Sequence, residues 1–302
     1  MLKLTPGRWA SLGALLAIAC LAGWWMLLRP ATAADLIGLF PDGEAPTLYV
    51  DVAALRATGL LEMLAGKAGA EEPEYRKFVE ASGFDYRRDL DAVAMRVRST
   101  DTLLVLKGRF DTARLAAYAK ANGGRCTPDV CTVQGSTPER QISWTPMKRQ
   151  LLALAVAADP LAVALINPSP RRVQRPLPSS PVWLEVPGSQ LHGGPGLPPG
   201  LSALLSSLDG ADRALLTAGL DGTGFALELS ATCPEPAKAK DIAGRLTQMT
   251  EMFRKLLARE NQKPDPAELS GLLANGVFSA EGVTVKGKWP LSKLLLSSML
   301  GK

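Results

Sequence analysis

The sequence has few of the residues on which most enzyme active sites depend. Among 302 residues there is one histidine, His192, and there are four cysteines. His192 lies in a Gly/Pro-rich stretch, so we expect an exposed side chain with no catalytic part. Without it the chain has no Ser-His or Cys-His pair. The residues "HGGP" at 192–195 resemble an esterase oxyanion loop, but no Gly-x-Ser-x-Gly motif accompanies them.

The familiar ligand-binding motifs are missing as well. There is no phosphate-binding Gly-x-x-x-x-Gly-Lys-Ser/Thr, no dinucleotide fingerprint after a strand, no His-Glu-x-x-His and no Cys-x-x-Cys-His. The sequence therefore predicts no cofactor, no metal site and no identifiable small-molecule ligand.

Clustered acidic residues are the remaining source of chemistry. The segment "DYRRDLDAV" contains Asp85, Asp89 and Asp91, and a pair of carboxylates can serve a hydrolase. We interpret them as structural, because Asp85 is placed to cap the turn after it and the other two flank a strand entrance. The segment "DGTG" at 221–224 likewise predicts a hairpin turn before a ligand loop.

A long uncharged run opens the chain. Residues 9–28 carry no charge and, as a helix, would extend about 30 Å, the thickness of the hydrocarbon layer. Lys3 and Arg8 precede the run and only Arg29 follows it, which favours a cytoplasmic N-terminus and an exported body. We predict a retained single-pass anchor in a bacterial inner membrane, with the body in the periplasm or extracytoplasmic space.

Two alternatives to a retained anchor remain open. The small residues at 31–33 fit a signal-peptidase site, so cleavage after Ala33 would give a secreted protein. The stretch "LAIAC" loosely fits a lipoprotein box ending at Cys20.

The basic character of the chain is concentrated at its start. Three of the 34 basic residues and none of the 29 acidic ones lie in residues 1–33, which leaves a net charge of +2 for the rest. The one tight basic cluster beyond that is "RRVQR" at 171–175. We therefore predict no nucleic-acid partner, and expect the membrane, through residues 9–28, and a protein to be the partners.

Two cysteines lie close together in "GGRCTPDVC". Thr127–Val130 reads as a tight turn with Pro at its second position, which places Cys126 and Cys131 opposite each other on two short strands. In an oxidising exported compartment such a pair forms a disulfide. A redox pair, or a zinc site completed by Cys233 and His192, is the alternative. Otherwise Cys233 is expected to be a buried small apolar residue.

The rest of the chain divides at a Pro/Arg-rich linker, residues 167–181. On either side, 92–124 and 214–246 both predict strand, turn, strand and helix, and each is followed by two strands and an apolar segment that begins with Pro-Leu. This predicts a duplicated α+β unit: a first module at 34–166 and a second at 182–302, each an antiparallel sheet with helices on one face.

Periodicity assigns faces and helix ends. Phe225, Leu227 and Leu229 alternate with polar neighbours, as do Val283, Val285 and Trp289, which predicts one covered and one wet sheet face. We expect helices from Asp111 to Gly123, from the capping-box-like segment 265–268 to Gly276, and from 236 to 260. The apolar stripe of the last helix consists of Ile242, Leu246, Met249, Phe253 and Leu256.

Three segments carry a resemblance to known proteins. They are "LFPDGEAPTLYVDVAALRATGLLEML", "YRKFVEASGFDYRRDLDAVAMRV" and "LLVLKGRFDTARLAAYAKANGG". Over residues 38–124 the chain resembles a group of exported, single-anchor bacterial proteins of uncharacterised function. The resemblance implies an exported location and a two-module layout, and it brings no catalytic motif.

These features point to a membrane-tethered extracytoplasmic binding or scaffold protein rather than an enzyme. The alternative is an exported carboxylate-based hydrolase with its site between the two modules.

Overall fold

The computed structural model describes residues 31–65, 73–137, 139–191, 204–221 and 224–292. The predicted anchor at 9–28, Cys20 and His192 lie outside these ranges. Within them, none of the helices combines the length and the apolar composition needed to cross a membrane.

The described chain forms twelve strands, eight α-helices and two short 3-10 helices. The strands are β1 (Thr47–Asp51), β2 (Leu90–Val97), β3 (Asp101–Gly108), β4 (Arg125–Cys126), β5 (Cys131–Gln134), β6 (Gln141–Met147), β7 (Leu151–Ala157), β8 (Val182–Pro187), β9 (Arg213–Asp221), β10 (Gly224–Thr232), β11 (Val277–Glu281) and β12 (Thr284–Leu291). The α-helices are α1 (Ala33–Ile37), α2 (Val52–Ala57), α3 (Leu60–Ala65), α4 (Pro73–Ser82), α5 (Tyr86–Asp89), α6 (Thr112–Ala121), α7 (Pro236–Arg259) and α8 (Leu269–Ala274). The 3-10 helices are η1 (Ala162–Leu165) and η2 (Gly188–Gln190).

All twelve strands belong to one antiparallel sheet, in the order β11-β12-β10-β9-β8-β1-β2-β3-β7-β6-β5-β4. The α+β class with antiparallel strands and helices is confirmed. The expectation of two separate sheets is wrong, because β1 pairs with β8 and joins the halves edge to edge. Residues 167–181 contain no helix or strand, as expected of a connection. The domain boundaries at 34–166 and 182–302 stay a prediction, and residues 33–302 form one compact unit.

One face of the sheet, the helix face, carries the larger helices. Around α7 the core contains Ile242 and Leu246 of the helix with Leu229, Val285 and Trp289 of the sheet. A second core lies under α2 and α3, and a third under α6. The helix face is continuous, because directly opposite residues of an antiparallel sheet share a face. Its central line of cross-strand neighbours is Pro146, Leu152, Leu106, Val93, Val50, Val182, Ala218, Leu227 and Trp289.

The opposite face, the far face, differs between the halves. In the first half its central residues are apolar, and Val105 and Ala155 are fully buried. Residues 33–41 and η1 lie against it: Arg96 of β2 donates to the carbonyl of Pro41 at 2.6 Å and stacks on Phe40. The expectation of a wet second face is therefore wrong for this half, because the chain before β1 and after β7 returns over the sheet.

The predicted helix ends are confirmed in part. Asp111 caps α6 by accepting from the Arg114 N–H at 3.0 Å, and Gly123 follows the helix with φ +77°. α7 ends at Arg259, close to the expected end at 260. α8 begins later than expected, because Asp265 accepts from the Ala267 N–H in a turn before the helix.

Two side-chain predictions are corrected. Val283 lies in the turn between β11 and β12, not in the strand, and is partly exposed. On α7, Met249 and Leu256 are exposed, since the buried stripe runs instead through small residues such as Ala239 and Ala243 and reaches Leu257.

Candidate functional site

A single line of cross-strand neighbours crosses the far face and shows where the molecule is open. The line begins in the first half, where the far face is covered. It passes the stacked rings of Tyr49 and Trp183, whose centroids are 5.6 Å apart, and it ends among polar residues of the second half. In order, its residues are Thr145, Ala153, Val105, Ala94, Tyr49, Trp183, Thr217, Glu228, Lys288 and Val277. The change of composition at Trp183 makes the far face of the second half a solvated surface.

That surface forms a trough of about 540 Å³. Two cross-strand rows make its floor, and residues 178–180 form one side. This segment can lie close to β9 because Gly219 has no side chain: a Cβ there would come within 3.3 Å of Pro181. The first row contains Thr217, Glu228, Lys288 and Val277, and the second contains Leu215, Ser230, Lys286 and Ser279.

The charged side chains of the trough floor lie close to opposite charges. Lys286 pairs with Glu281 at 2.6 Å, and Lys288 lies 4.0 Å from Glu228. All four side chains are about half exposed. Exposed ion pairs contribute about 0–1 kcal/mol to stability, so these groups can change partners at little cost. The trough thus offers both signs of charge beside the hydroxyls of Thr217, Ser230 and Ser279.

The acidic residues singled out in the sequence serve the fold. Asp85 caps α5 by accepting from the Arg87 N–H at 3.0 Å, and it accepts from the Tyr75 hydroxyl at 2.9 Å. Asp91 lies 3.6 Å from Arg56.

Asp89 is the most strongly perturbed of these carboxylates. It accepts from Arg88 at 2.8 Å, from the Asp85 N–H at 3.0 Å and from Arg109 at 3.2 Å. The Arg88 guanidinium, together with these other donors, lowers the pKa of Asp89 to about 2. A general acid would need the opposite shift.

The basic cluster at 171–175 is largely neutralised. Arg171 pairs with Asp42, and Arg175 pairs with Glu185, which lies 3.9 Å from Arg213 as well. These pairs hold the connecting segment against the sheet near the junction of β1 and β8.

The predicted disulfide is confirmed. Cys126 and Cys131 are cross-strand partners in β4 and β5, with Cα atoms 4.0 Å apart. The turn between them is closed by a bond from the Thr127 N–H to the Val130 carbonyl and by one from the Val130 N–H to the Thr127 hydroxyl. Cys233 is buried in the α7 core, as predicted, and burial raises the pKa of its thiol.

In the described parts of the chain, no three His, Cys, Asp or Glu side chains lie close enough together to bind a metal ion. The predicted hairpin at "DGTG" is present, with Asp221 paired to Gly224.

Sequence reasoning placed Glu228 and Ser230 on the wet face of β10 but did not identify the trough. The missing information was the pairing of β10 with β12, which brings in Lys286 and Lys288 from more than fifty residues away. The alternation within "VTVKGKW" was the one sequence signal that Lys286 and Lys288 share the solvated face of their strand.

Comparison with known proteins finds distant structural neighbours alone. No family model matches the sequence, and no curated protein matches it. Among solved structures, the chain is similar to three crystal forms of TP0453. Form I has a TM-score of 0.48 at 14% identity, form IV 0.47 at 15%, and form III 0.49 at 13%. Each alignment covers 89% of this chain and 97–98% of the other.

Proposed function

We propose that this protein is a membrane-tethered extracytoplasmic binding protein that uses the trough to contact a polar surface of a protein partner. The observation that carries the proposal is the change of the far face at Trp183, from a buried apolar surface to an open polar one. A sheet face that is buried in the protein interior carries apolar side chains, such as Val105 and Ala153. Their counterparts Glu228 and Lys288 keep the second-half face hydrated until a polar partner replaces the water.

The anchor belongs to the same proposal. Residues 9–28 would hold the protein in the inner membrane with the body outside the cytoplasm. The disulfide supports this location, because disulfides persist in oxidising compartments. Cleavage after Ala33 would release the same body, and lipidation at Cys20 would tether it by another route.

We further propose that the two halves arose by duplication. Each half has three consecutive antiparallel strands, a helix, and a hairpin whose last strand pairs with the third strand. The cross-strand lines correspond as well, since each begins at one partner of the stacked Tyr49–Trp183 pair. On this basis the trough is the second copy of a surface that the first half keeps covered.

A carboxylate hydrolase is the weaker proposal. Its acids would lie between the halves, where Glu185 of β8 and Asp51 of β1 are carboxylates close to the junction. Glu185 pairs with Arg175 and lies 3.9 Å from Arg213, so its carboxylate already takes part in structural ion pairs.

Site-specific photo-crosslinking in native membranes tests the binding proposal. A photoreactive residue replaces Ser230 on the trough floor of the full chain, and the control replaces Thr112, an exposed hydroxyl residue on α6. We expect one discrete crosslinked species from position 230 and none at position 112. Lys288→Glu should reduce its yield at least tenfold, at unchanged far-UV circular dichroism.

The same labelling pattern from both positions would contradict a specific trough. A yield that is indifferent to Lys288→Glu would show that the crosslinked surface is not the trough floor.

A further inference from the structure

We infer that β11 is a dimerisation edge, through which a second copy of this chain continues the sheet about a twofold axis. This inference concerns the edge of β11 and the flank of α7, and Val277 and Ser279 of that strand also line the trough floor. The two proposals have separate readouts, so either can fail without the other.

The two ends of the sheet are unequal. β4 has two residues and adjoins the disulfide, so it presents a short edge. β11 has five residues, contains neither Pro nor Lys, and leaves Val277 69% exposed. Natural proteins blunt their edge strands with such residues or by keeping them short. In β11 the one charged residue, Glu281, lies at the end of the strand, and among the described residues no strand lies beyond β11.

A groove of about 470 Å³ runs along this edge on the helix face. One wall is the flank of α7, and the other is Phe278 and Ala280 of β11. The α7 residues of the groove are Lys240, Ala243, Gly244, Thr247, Gln248 and Glu251.

The charges on the α7 flank are arranged so that the flanks of two copies are complementary to each other. Lys240 lies at one end of the flank and Glu251 at the other. When two such helices pack antiparallel, Lys240 of each lies beside Glu251 of the other. Gly244 lies near the centre, where a Cβ would meet no atom within 4 Å, so the flank has room for a neighbour.

The strand fits the same axis. If two β11 strands pair antiparallel with Ser279 opposite Ser279, Phe278 lies across from Ala280, a large residue beside a small one. On the far face, Glu281 lies across from Val277, and Lys288, the cross-strand neighbour of Val277, is one strand further away on the same face. The groove is lined by α7 residues between 240 and 251 and by Phe278 and Ala280, the two neighbours of Ser279. We therefore infer that the helix pairing and the strand pairing share one axis.

The distance between the two α7 helices also fits the proposed dimer. α7 lies over both β11 and β12. With strands about 4.8 Å apart, the two α7 axes would be roughly 10 Å apart across the axis, the distance at which helices pack. Strand pairing alone buries too little for a stable dimer, which needs on the order of 1,000 Å², and the helix flanks supply further area.

Cysteine crosslinking of the full chain in detergent tests the register. Under copper–phenanthroline oxidation we expect Ser279→Cys to give a disulfide-linked dimer, because that residue meets its own copy. Val277→Cys and Glu281→Cys alone should give at least tenfold less, and the two together in one chain should restore the dimer. The unchanged chain measures the background from its native thiols. Equal crosslinking by the two single variants at 277 and 281, or none by Ser279→Cys, would overturn the inference.

Charge reversal tests the helix pairing independently. By analytical ultracentrifugation, Lys240→Glu and Glu251→Lys should each raise the dimer dissociation constant at least tenfold. The double variant should return it to within about threefold of the starting value. Arg259→Glu, on the same helix outside the groove, is the control and should leave it unchanged. A chain that is monomeric at about 50 µM, or a double variant no better than the singles, would refute the dimer. The trough crosslink at position 230 would still decide the binding proposal.

Discussion

The junction of β1 and β8 gives the sharpest test of the fold, through Trp183. This side chain is 1% exposed and stacks on Tyr49 across the pair of strands that joins the halves. A buried Trp removes about 150–250 Å² from water, which corresponds to about 4–6 kcal/mol at 25 cal/mol per Å². A compact denatured state lowers this value, so we expect Trp183→Ala to reduce the free energy of unfolding by about 3–5 kcal/mol.

A second substitution separates packing from polarity. The indole N–H of Trp183 has no hydrogen-bond partner among the described residues. Trp183→Phe loses some volume but also removes that buried donor, whose burial costs about 1–3 kcal/mol. We therefore expect it to change the free energy of unfolding by less than about 1.5 kcal/mol in either direction.

Urea unfolding followed by far-UV circular dichroism measures both variants. Leu220→Ala, at an exposed leucine of β9, is the control and should cost less than about 0.5 kcal/mol. A loss below about 1 kcal/mol for Trp183→Ala would refute a packed junction. Two separate transitions in the unchanged protein would refute a single cooperative sheet.

Three further predictions concern the disulfide, pH and topology. Replacing both Cys126 and Cys131 by Ser should lower the free energy of unfolding by about 2 kcal/mol without preventing folding, because the closed loop is short; urea titration of the variant measures it. The pKa of Asp89 is lowered from 3.8 to about 2 in the fold, so its carboxylate stabilises the protein above about pH 4 and this contribution is lost as pH falls towards 2. Asp89→Asn should therefore destabilise the protein at pH 7, and the difference from the unchanged protein should shrink as pH falls through 2 in the same assay. A reporter active only outside the cytoplasm should work when fused after residue 302, and activity of a cytoplasmic reporter there would contradict the proposed topology.

Local features of the fold could be predicted from sequence because their causes are local. The cap at Asp111 depends on a bond three residues along the chain, and the disulfide on a turn of four residues. The alternation in β10 separated Leu229 from Glu228 correctly, since a strand places successive side chains on opposite faces.

The features that failed depend on distant segments. Alternation could not show that residues 33–41 would cover the far face of the first half. The pairing of β1 with β8 joins residues on either side of the whole first half, and no periodicity reports such a pair. Met249 and Leu256 were assigned to the core because helical spacing alone does not show how far the sheet extends beneath α7.

The candidate site was the least predictable part, because it is identified by comparing the far faces of the two halves. Glu228 and Lys288 are ordinary strand residues when each is read alone. They are recognised as part of a site only when they are compared with Val105 and Ala153, which occupy the corresponding positions in the covered half.

The position of β1 has a consequence for how this protein must be made. β1 is the first strand to emerge during synthesis or export, yet one of its two neighbours, β8, is not available until the whole first half has followed. During that interval β1 is an open edge, and Tyr49 lacks the ring that later stacks on it. Exposed strand edges invite pairing with other chains, so the first half needs a holding factor or rapid completion of the chain. A premature stop before β8 would therefore release an aggregation-prone fragment instead of a smaller working protein.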